Sequence, residues 1–133
     1  MTSPSPPPIV HDDELLARFI LFSRWFRKDR TVCPDGLIPY PYPELSVTRH
    51  SGLTEPQLWR MGQDVADAIP NATLYGRADL RTADVRRQKL QVDAAPLPKN
   101  FNHANITGWP PDKPSQKSIA QELAAVAKFV SSE

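Results

Sequence analysis

The distribution of proline limits where this chain can form regular structure. Fifteen of its 133 residues are proline, and proline lacks a backbone N–H group and fixes φ, which excludes it from helix interiors and central strands. Many of the prolines lie at the amino terminus and in the segment 33–43. We therefore expect a disordered proline-rich tail over residues 1–10 and an ordered loop or sheet edge over residues 33–43. Residues 11–133 are expected to form a single α+β domain.

Apolar spacing and capping signals predict three main helices. The first is predicted at residues 11–30, because acidic residues precede an apolar pattern of three- and four-residue spacing and basic residues follow it. The second begins after Thr54, which can form a capping box with Gln57. The last begins near Ser115, is rich in the strong helix former alanine, and continues to Val130.

Alternation of apolar and polar residues, with β-branched side chains, predicts strands between these helices. The clearest is at residues 45–49, and others are predicted at 73–80, 90–92 and 104–107, with a short helical turn at 82–87. The predicted fold class is α+β. We expect a small, mostly antiparallel or mixed sheet of three to four short strands packed against the three main helices.

Composition argues against several classes of protein. The net charge of +1 lacks the basic excess that dominates binding to DNA. Cys33 is the single cysteine, so no internal disulfide can form, and the histidines have no metal-site spacing. No apolar run is long enough to cross a bilayer, and the first residues lack the features of a secretory signal. We expect a cytoplasmic protein with no membrane association, no bound metal and no cofactor.

Short catalytic signatures are missing, which argues against an enzyme without excluding one. There is no nucleophile elbow, P-loop or zinc-protease motif, and five glycines give little material for a phosphate cradle. The side chains that remain for chemistry lie near the ends of predicted strands or at the start of the last helix. If folding brings them to one edge, they would bind a phosphate-bearing ligand. These candidate residues are Arg49, His50, Arg77, His103 and Lys117.

Three functions follow as hypotheses. The leading one is a non-enzymatic accessory or protein-interaction module with a protein partner, for which Trp25, Trp59 and Trp109 are the candidate anchors. The first alternative is a small enzyme or sensor that binds a nucleotide or another phosphate ligand at the residues named above. The second is a nucleic-acid binder, which the balanced charge disfavours. It would use the basic end of the first predicted helix with Arg81, Arg86, Arg87 and Lys89.

Three segments, ELSVTRHSGL, LYGRADL and NHANITGWPPDKPSQK, together resemble a group of short, uncharacterised bacterial proteins. This resemblance implies a bacterial cytosolic origin and no particular activity. The chain is also similar, more faintly, to compact ADP-ribosyl-transferring folds, in which an arginine or histidine on an early strand holds a nicotinamide nucleotide. That similarity implies such a role for Arg49 and His50, and a later position in the site for His103.

Overall fold

The computed structural model describes residues 6–39 and 41–132. Within them the chain forms six strands, three α-helices and two short 3₁₀ helices. The strands are β1 (Leu15–Ile20), β2 (Leu45–Arg49), β3 (Gly76–Arg81), β4 (Gln91–Ala94), β5 (His103–Thr107) and β6 (Lys128–Ser131). The helices are α1 (Glu55–Asp67), α2 (Thr82–Arg87) and α3 (Lys113–Val126), and the 3₁₀ helices are Ser23–Trp25 and Pro34–Leu37.

The six strands form one antiparallel sheet in the order β4-β5-β2-β1-β3-β6. One face carries Leu16 and Ile106 and packs against α3 through Leu123. The opposite face carries Phe19 and packs against α1 through Leu58. Because side chains alternate along a strand, β1 supplies residues to both cores. None of the described helices has the length and apolar character that a bilayer span requires.

The prediction of a helix over residues 11–30 is wrong. This part of the chain forms β1 and then the 3₁₀ helix Ser23–Trp25. Leu16, Ala17 and Ile20 are completely buried, because β1 lies inside the sheet between two helical layers. A strand buried on both faces is apolar at consecutive positions, and a short run of that kind cannot be told from a buried helix by its periodicity.

The α+β class and the antiparallel pairing are confirmed, but the sheet has six strands instead of three to four. The additional strands are β1 and β6. The last predicted helix was expected to include Val130, whereas α3 ends at Val126 and β6 follows it. Phe129 of β6 stacks on Phe26 at a ring distance of 5.2 Å, which holds this edge strand against the core. The capping box of Thr54 and Gln57 is present as predicted.

The amino-terminal segment lies against the sheet from residue 6 onward. Val10 is buried in the core on the α3 side. The Pro7 carbonyl accepts a hydrogen bond from Arg49 Nη1 at 2.6 Å, and the Val10 carbonyl accepts one from Arg86 Nη2 at 2.6 Å. The remainder of the predicted tail, residues 1–5, lies outside the described residues.

Strands β1 and β2 separate after a short region of pairing. Their register contains two residue pairs, Leu16 with Arg49 and Ala17 with Thr48. Beyond these pairs β1 continues beside β3, while the earlier part of β2 pairs with β5. The gap between residues 18–20 and residues 45–47 is called the β1–β2 split below.

Candidate functional site

Of the residues predicted to form an anion site, His50 and Arg77 meet at Asp79, whereas Arg49, His103 and Lys117 lie elsewhere. Arg49 pairs with Leu16 and therefore lies on the face covered by α3. Arg77 and His103 lie on the opposite face, where His103, Thr48, Ala17 and Asp79 occupy one row across four strands. At a strand spacing of ~4.8 Å, this row places the backbones of His103 and Asp79 roughly 14 Å apart. Arg77 and His103 are therefore on the same face but three strands apart, and no described contact joins their side chains.

Arg49 is satisfied by groups within the protein. It is 1% exposed, and its Nε and Nη2 donate to the two carboxylate oxygens of Glu14 at 2.9 and 3.0 Å. Burial alone would raise the pKa of the Glu14 carboxyl, but hydrogen bonds from Arg49 and the His11 amide outweigh it and hold that pKa below its ordinary value. An external anion would have to displace Glu14, so this arginine fastens β2 to the segment before β1.

Arg77 belongs to a second, larger network. Its Nε donates to Asp79 at 3.0 Å, and its two terminal nitrogens donate to the Glu55 carboxylate at 2.8 and 2.9 Å. Asp79 also contacts Nε2 of His50 at 2.9 Å. The guanidinium lies 4.7 Å from the centre of the Trp59 ring, in cation–π geometry. Two carboxylates and an indole therefore surround this cation.

The positive charge of Arg77 is compensated by carboxylates of the protein itself. Burial would lower the pKa of Arg77, but the hydrogen bonds that it donates to Glu55 and Asp79 raise it above its ordinary value. Conversely, the Arg77 hydrogen bond lowers the pKa of Glu55. Because Glu55 is in the first turn of α1, the pair joins that helix to β3. The sequence identified Arg77 and His50, but it missed Glu55 as a partner because nothing local links positions 22 residues apart.

His103 and Lys117 lie apart from both networks. The Nδ1 of His103 is 2.9 Å from the Ala95 carbonyl, which can only accept, so Nδ1 donates this hydrogen bond. Lys117 is an exposed residue of α3. The predicted anion site at the start of this helix already holds a carboxylate, because Asp112 accepts from the Ser115 amide at 2.9 Å. Hydrogen bonds from Ser115 lower the pKa of Asp112.

The basic cluster proposed for nucleic acid is partly used in internal pairs. Arg86 donates to Asp12 at 2.6 Å, and Arg87 donates to Asp84 at 3.1 Å. Arg81 and Lys89 are exposed. Phosphate contacts through Arg86 and Arg87 would therefore compete with carboxylates that are already in place. Within residues 6–39 and 41–132, no group of three or more His, Cys, Asp and Glu side chains is arranged to hold a metal ion.

The three tryptophans predicted as anchors are all half-buried. Trp25 packs edge-to-face on Phe22 at 5.0 Å, and Trp59 is covered by Arg77 as described above. Trp109 donates from Nε1 to the Ile106 carbonyl at 2.9 Å, which fixes the orientation of the indole. Of the three, Trp109 lines a large surface groove.

This groove, called the proline–aromatic groove below, is a product of strand pairing. Leu45 at the start of β2 is opposite Ile106 near the end of β5. The segment that precedes β2 therefore lies beside the segment that follows β5. The groove between them has a volume of about 490 Å³. Its lining residues are Pro41, Tyr42, Pro43, Glu44, Thr107, Gly108, Trp109, Pro110, Pro111 and Gln116.

Hydrogen bonds fix the walls of the proline–aromatic groove. On one side, the Tyr42 amide donates to the Pro39 carbonyl at 2.9 Å and closes a turn. On the other, Gly108 adopts φ +85°, a left-handed conformation that suits glycine, and the Gln116 side chain donates to the Pro110 carbonyl at 2.8 Å. The Tyr42 side chain stands out from this frame, since the residue is 70% exposed. The sequence pointed to Trp109 but not to Tyr42, because the two meet only through the pairing of β2 with β5.

The fold and the groove together describe an α+β protein with one antiparallel sheet and a groove on its surface. No protein-family model, no curated protein and no solved structure matches this chain. Its function is therefore inferred from its own geometry.

Proposed function

We propose that this protein is a non-enzymatic interaction module that binds an extended, proline-containing segment of a partner protein in the proline–aromatic groove. The observation that carries the proposal is a groove of about 490 Å³ that both the exposed Tyr42 and the half-buried Trp109 line. Ligand-binding clefts have volumes of about 300–1,000 Å³. The bacterial cytosolic setting expected from the sequence belongs to the same proposal.

An extended proline-containing segment suits this groove for two reasons. A polyproline II segment has no internal hydrogen bonds, and its restricted backbone loses little entropy on binding to aromatic side chains. The groove is itself rigid, because prolines line both of its walls and hydrogen bonds hold the Trp109 and Pro110 side. Binding between two preorganised surfaces reduces the entropic cost of association.

The negative charge of Glu44 at the rim of the proline–aromatic groove indicates what charge a partner segment should carry. Glu44 lines the groove and is exposed, and it has no basic partner within the described residues. A basic residue next to the prolines of the partner would gain a favourable contact there and would be steered to the correct orientation. We therefore expect the preferred segment to carry an arginine or lysine close to its prolines.

The first test is peptide binding measured by fluorescence anisotropy. The probe is a fluorescein-labelled peptide of about ten residues, mainly proline with one arginine. We expect saturable binding, and we expect Tyr42→Ala to weaken it by about tenfold, because truncation of an aromatic anchor commonly costs ~1–2 kcal/mol. Tyr42→Ala should leave the melting temperature unchanged, since the side chain is exposed.

The matched control is Phe101→Ser, which removes another exposed aromatic residue. Phe101 is 50% exposed and precedes β5, whereas the groove follows that strand. Binding should be the same in this variant as in the wild type. Equal binding by the Tyr42→Ala variant, or no binding by any of the proteins, would overturn the proposal. A loss confined to Phe101→Ser would place the contact surface at the other end of β5.

The two alternative functions have less support. A nucleotide- or phosphate-binding enzyme or sensor, including one similar to ADP-ribosyl-transferring folds, would need Arg49 or Arg77, and each is already bonded to a carboxylate. Nucleic-acid binding would need Arg86 and Arg87, which are also in ion pairs. The proline–aromatic groove needs none of these residues.

A further inference from the structure

Arg18 is half-buried and, unlike the buried Arg49 and Arg77, has no acidic partner among the described residues. Its Nε donates to the Gly36 carbonyl at 2.8 Å, and its Nη1 donates to the Ser46 carbonyl at 3.0 Å. Within residues 6–39 and 41–132 no carboxylate pairs with it, whereas Arg49 and Arg77 each have at least one. A guanidinium has five N–H donors, so Arg18 retains donors beyond those that hold these two carbonyls.

The position of Arg18 explains how the side chain is held. It occupies the β1–β2 split, where the Ser46 carbonyl lacks the backbone partner that continued pairing with β1 would supply. Burial lowers the pKa of Arg18 to about 10, because the surroundings stabilise the charged form less well than water does. Arg18 is half-buried, and a cation that is partly removed from water is stabilised by a nearby anion. In the part of the chain that the structure describes, this anion is missing.

Other polar and cationic groups surround the split. The Arg18 guanidinium lies 5.3 Å from the centre of the Trp25 ring, and that of Arg24 lies 6.0 Å from the same ring. Arg24 also has no carboxylate partner among the described residues, so two cations flank one indole. A cavity of about 60 Å³ in the split is lined by Arg18, Thr48 and His103, among others, and none of its lining residues is acidic.

We propose that the β1–β2 split is a binding site for a small oxyanion, the carboxylate or phosphate group of a ligand, and that the Arg18 guanidinium is its main contact. Guanidinium suits this class because its planar set of donors can bond two oxygens at once. A volume of about 60 Å³ is that of about two water molecules, which fits one such group with the rest of its ligand outside. The site is separate from the proline–aromatic groove and does not depend on the proposed function.

The test is an NMR titration of the intact protein at constant ionic strength. Inorganic phosphate or acetate replaces chloride, and the signals followed are the Arg18 Nε–H and the Trp25 indole N–H. We expect both to shift and to saturate with at least one of the two anions. Saturation with phosphate alone would identify a phosphate-bearing ligand, and saturation with acetate alone would identify a carboxylate.

Two variants and one control test whether Arg18 and Arg24 contribute to anion binding. Arg18→Gln should weaken binding by about tenfold or more, because it removes the charged donor. Arg24→Gln changes an exposed residue, so it should fold normally, and it should weaken binding by about threefold through the loss of a nearby charge. The control Arg87→Gln removes an equal charge at an exposed position of α2, away from the split, and should bind as the wild type does.

The alternative is that the Arg18 side chain binds no ligand and serves only to bond the Gly36 and Ser46 carbonyls. In that case the signals would shift linearly with anion concentration, which indicates a general salt effect only, and the proposal would be overturned. An affinity equal to that of the wild type in Arg18→Gln would also overturn it. If Arg18→Gln does not fold, the Arg18 signal in the wild type and the comparison of Arg24→Gln with Arg87→Gln decide the question.

Discussion

Arg49 and Glu14 form a buried pair that makes the stability of this protein depend on pH. The side chains are 1% and 12% exposed, and the pKa of Glu14 lies below its ordinary value of 4.5 in the folded protein. A carboxyl with a lowered folded pKa increases the free energy of unfolding at pH values above its unfolded pKa. That increase is lost as the pH falls through the folded pKa.

Glu14→Gln should therefore lower the free energy of unfolding by about 2–4 kcal/mol near pH 7, because a buried guanidinium loses its counter-charge. The difference between wild type and variant should become smaller as the pH falls below 4.5, where the carboxyl of the unfolded chain becomes protonated, and should be lost below the lower pKa of the folded protein. Urea unfolding at a series of pH values between about 3 and 7 measures both quantities.

Asp13→Asn is the matched control for this experiment. Asp13 is the neighbouring acid, but it is exposed. Its substitution should change the free energy of unfolding by less than about 0.5 kcal/mol at any pH. A Glu14→Gln effect that remains constant down to the lowest pH would contradict the assignment of the pH dependence to this pair.

The sequence indicates which arginines lie in strands, but it does not indicate which carboxylates they contact. Arg49 and Arg77 were selected because each lies in a predicted strand. Their carboxylate partners include Glu14, 35 residues away, and Glu55, 22 residues away. No local spacing rule connects such positions. Arg18 was overlooked for a related reason, since its partners Gly36 and Ser46 are 18 and 28 residues away in the sequence.

Helix α1 is positioned on the sheet by a close contact at Gly62. A Cβ at this position would lie 2.7 Å from two atoms of the Phe19 ring, closer than carbon atoms can approach. Alanine is a better helix former than glycine by about 1 kcal/mol. Steric overlap opposes this gain, because the ring belongs to a central strand that cannot easily move.

Gly62→Ala is therefore expected to lower the free energy of unfolding by about 1–3 kcal/mol, despite the better helix propensity. Chemical denaturation of the wild type and the variant measures the change. Repeating it in a Phe19→Val background completes a double-mutant cycle, in which the shorter side chain makes room for the methyl group. The alanine should then be neutral or stabilising, and an equal loss in both backgrounds would rule out the contact.

Elements whose sequence pattern lies within a few residues could be predicted. Elements that depend on how the strands are arranged in the sheet could not. The prediction for β2 was right because apolar and polar residues alternate there. The Thr54 capping box was right because its two partners are three residues apart. Strand β1 was missed because burial on both faces removes the alternation that identifies a strand. The proline–aromatic groove depends on which strand lies next to β2, and that information is not local.

At the scale of the whole molecule, the sheet consists of two three-stranded halves joined through β1 and β2. One half contains β4, β5 and β2, and the other contains β1, β3 and β6. The core on the α3 side includes Val47 from the first half, Leu80 from the second and Leu123 from α3. Packing therefore joins the halves even where backbone pairing does not.

Native-state hydrogen exchange should show that the two halves unfold together. Backbone amides of β5 that bond to β2 and amides of β3 that bond to β1 are expected to exchange with the same free energy, because opening either half would expose the shared core. The measurement is exchange at increasing low concentrations of denaturant. A lower opening free energy for one half would mean that this half unfolds independently of the other, despite the core that they share.

The order of strands along the chain has a further consequence for the β1–β2 split. The polypeptide passes from one half of the sheet to the other between β1 and β2, between β2 and β3, between β3 and β4, and between β5 and β6. No single proteolytic cut can therefore release the two halves as separate fragments. A nicked chain would remain a two-fragment complex, because each piece supplies strands or packing surface that the other needs.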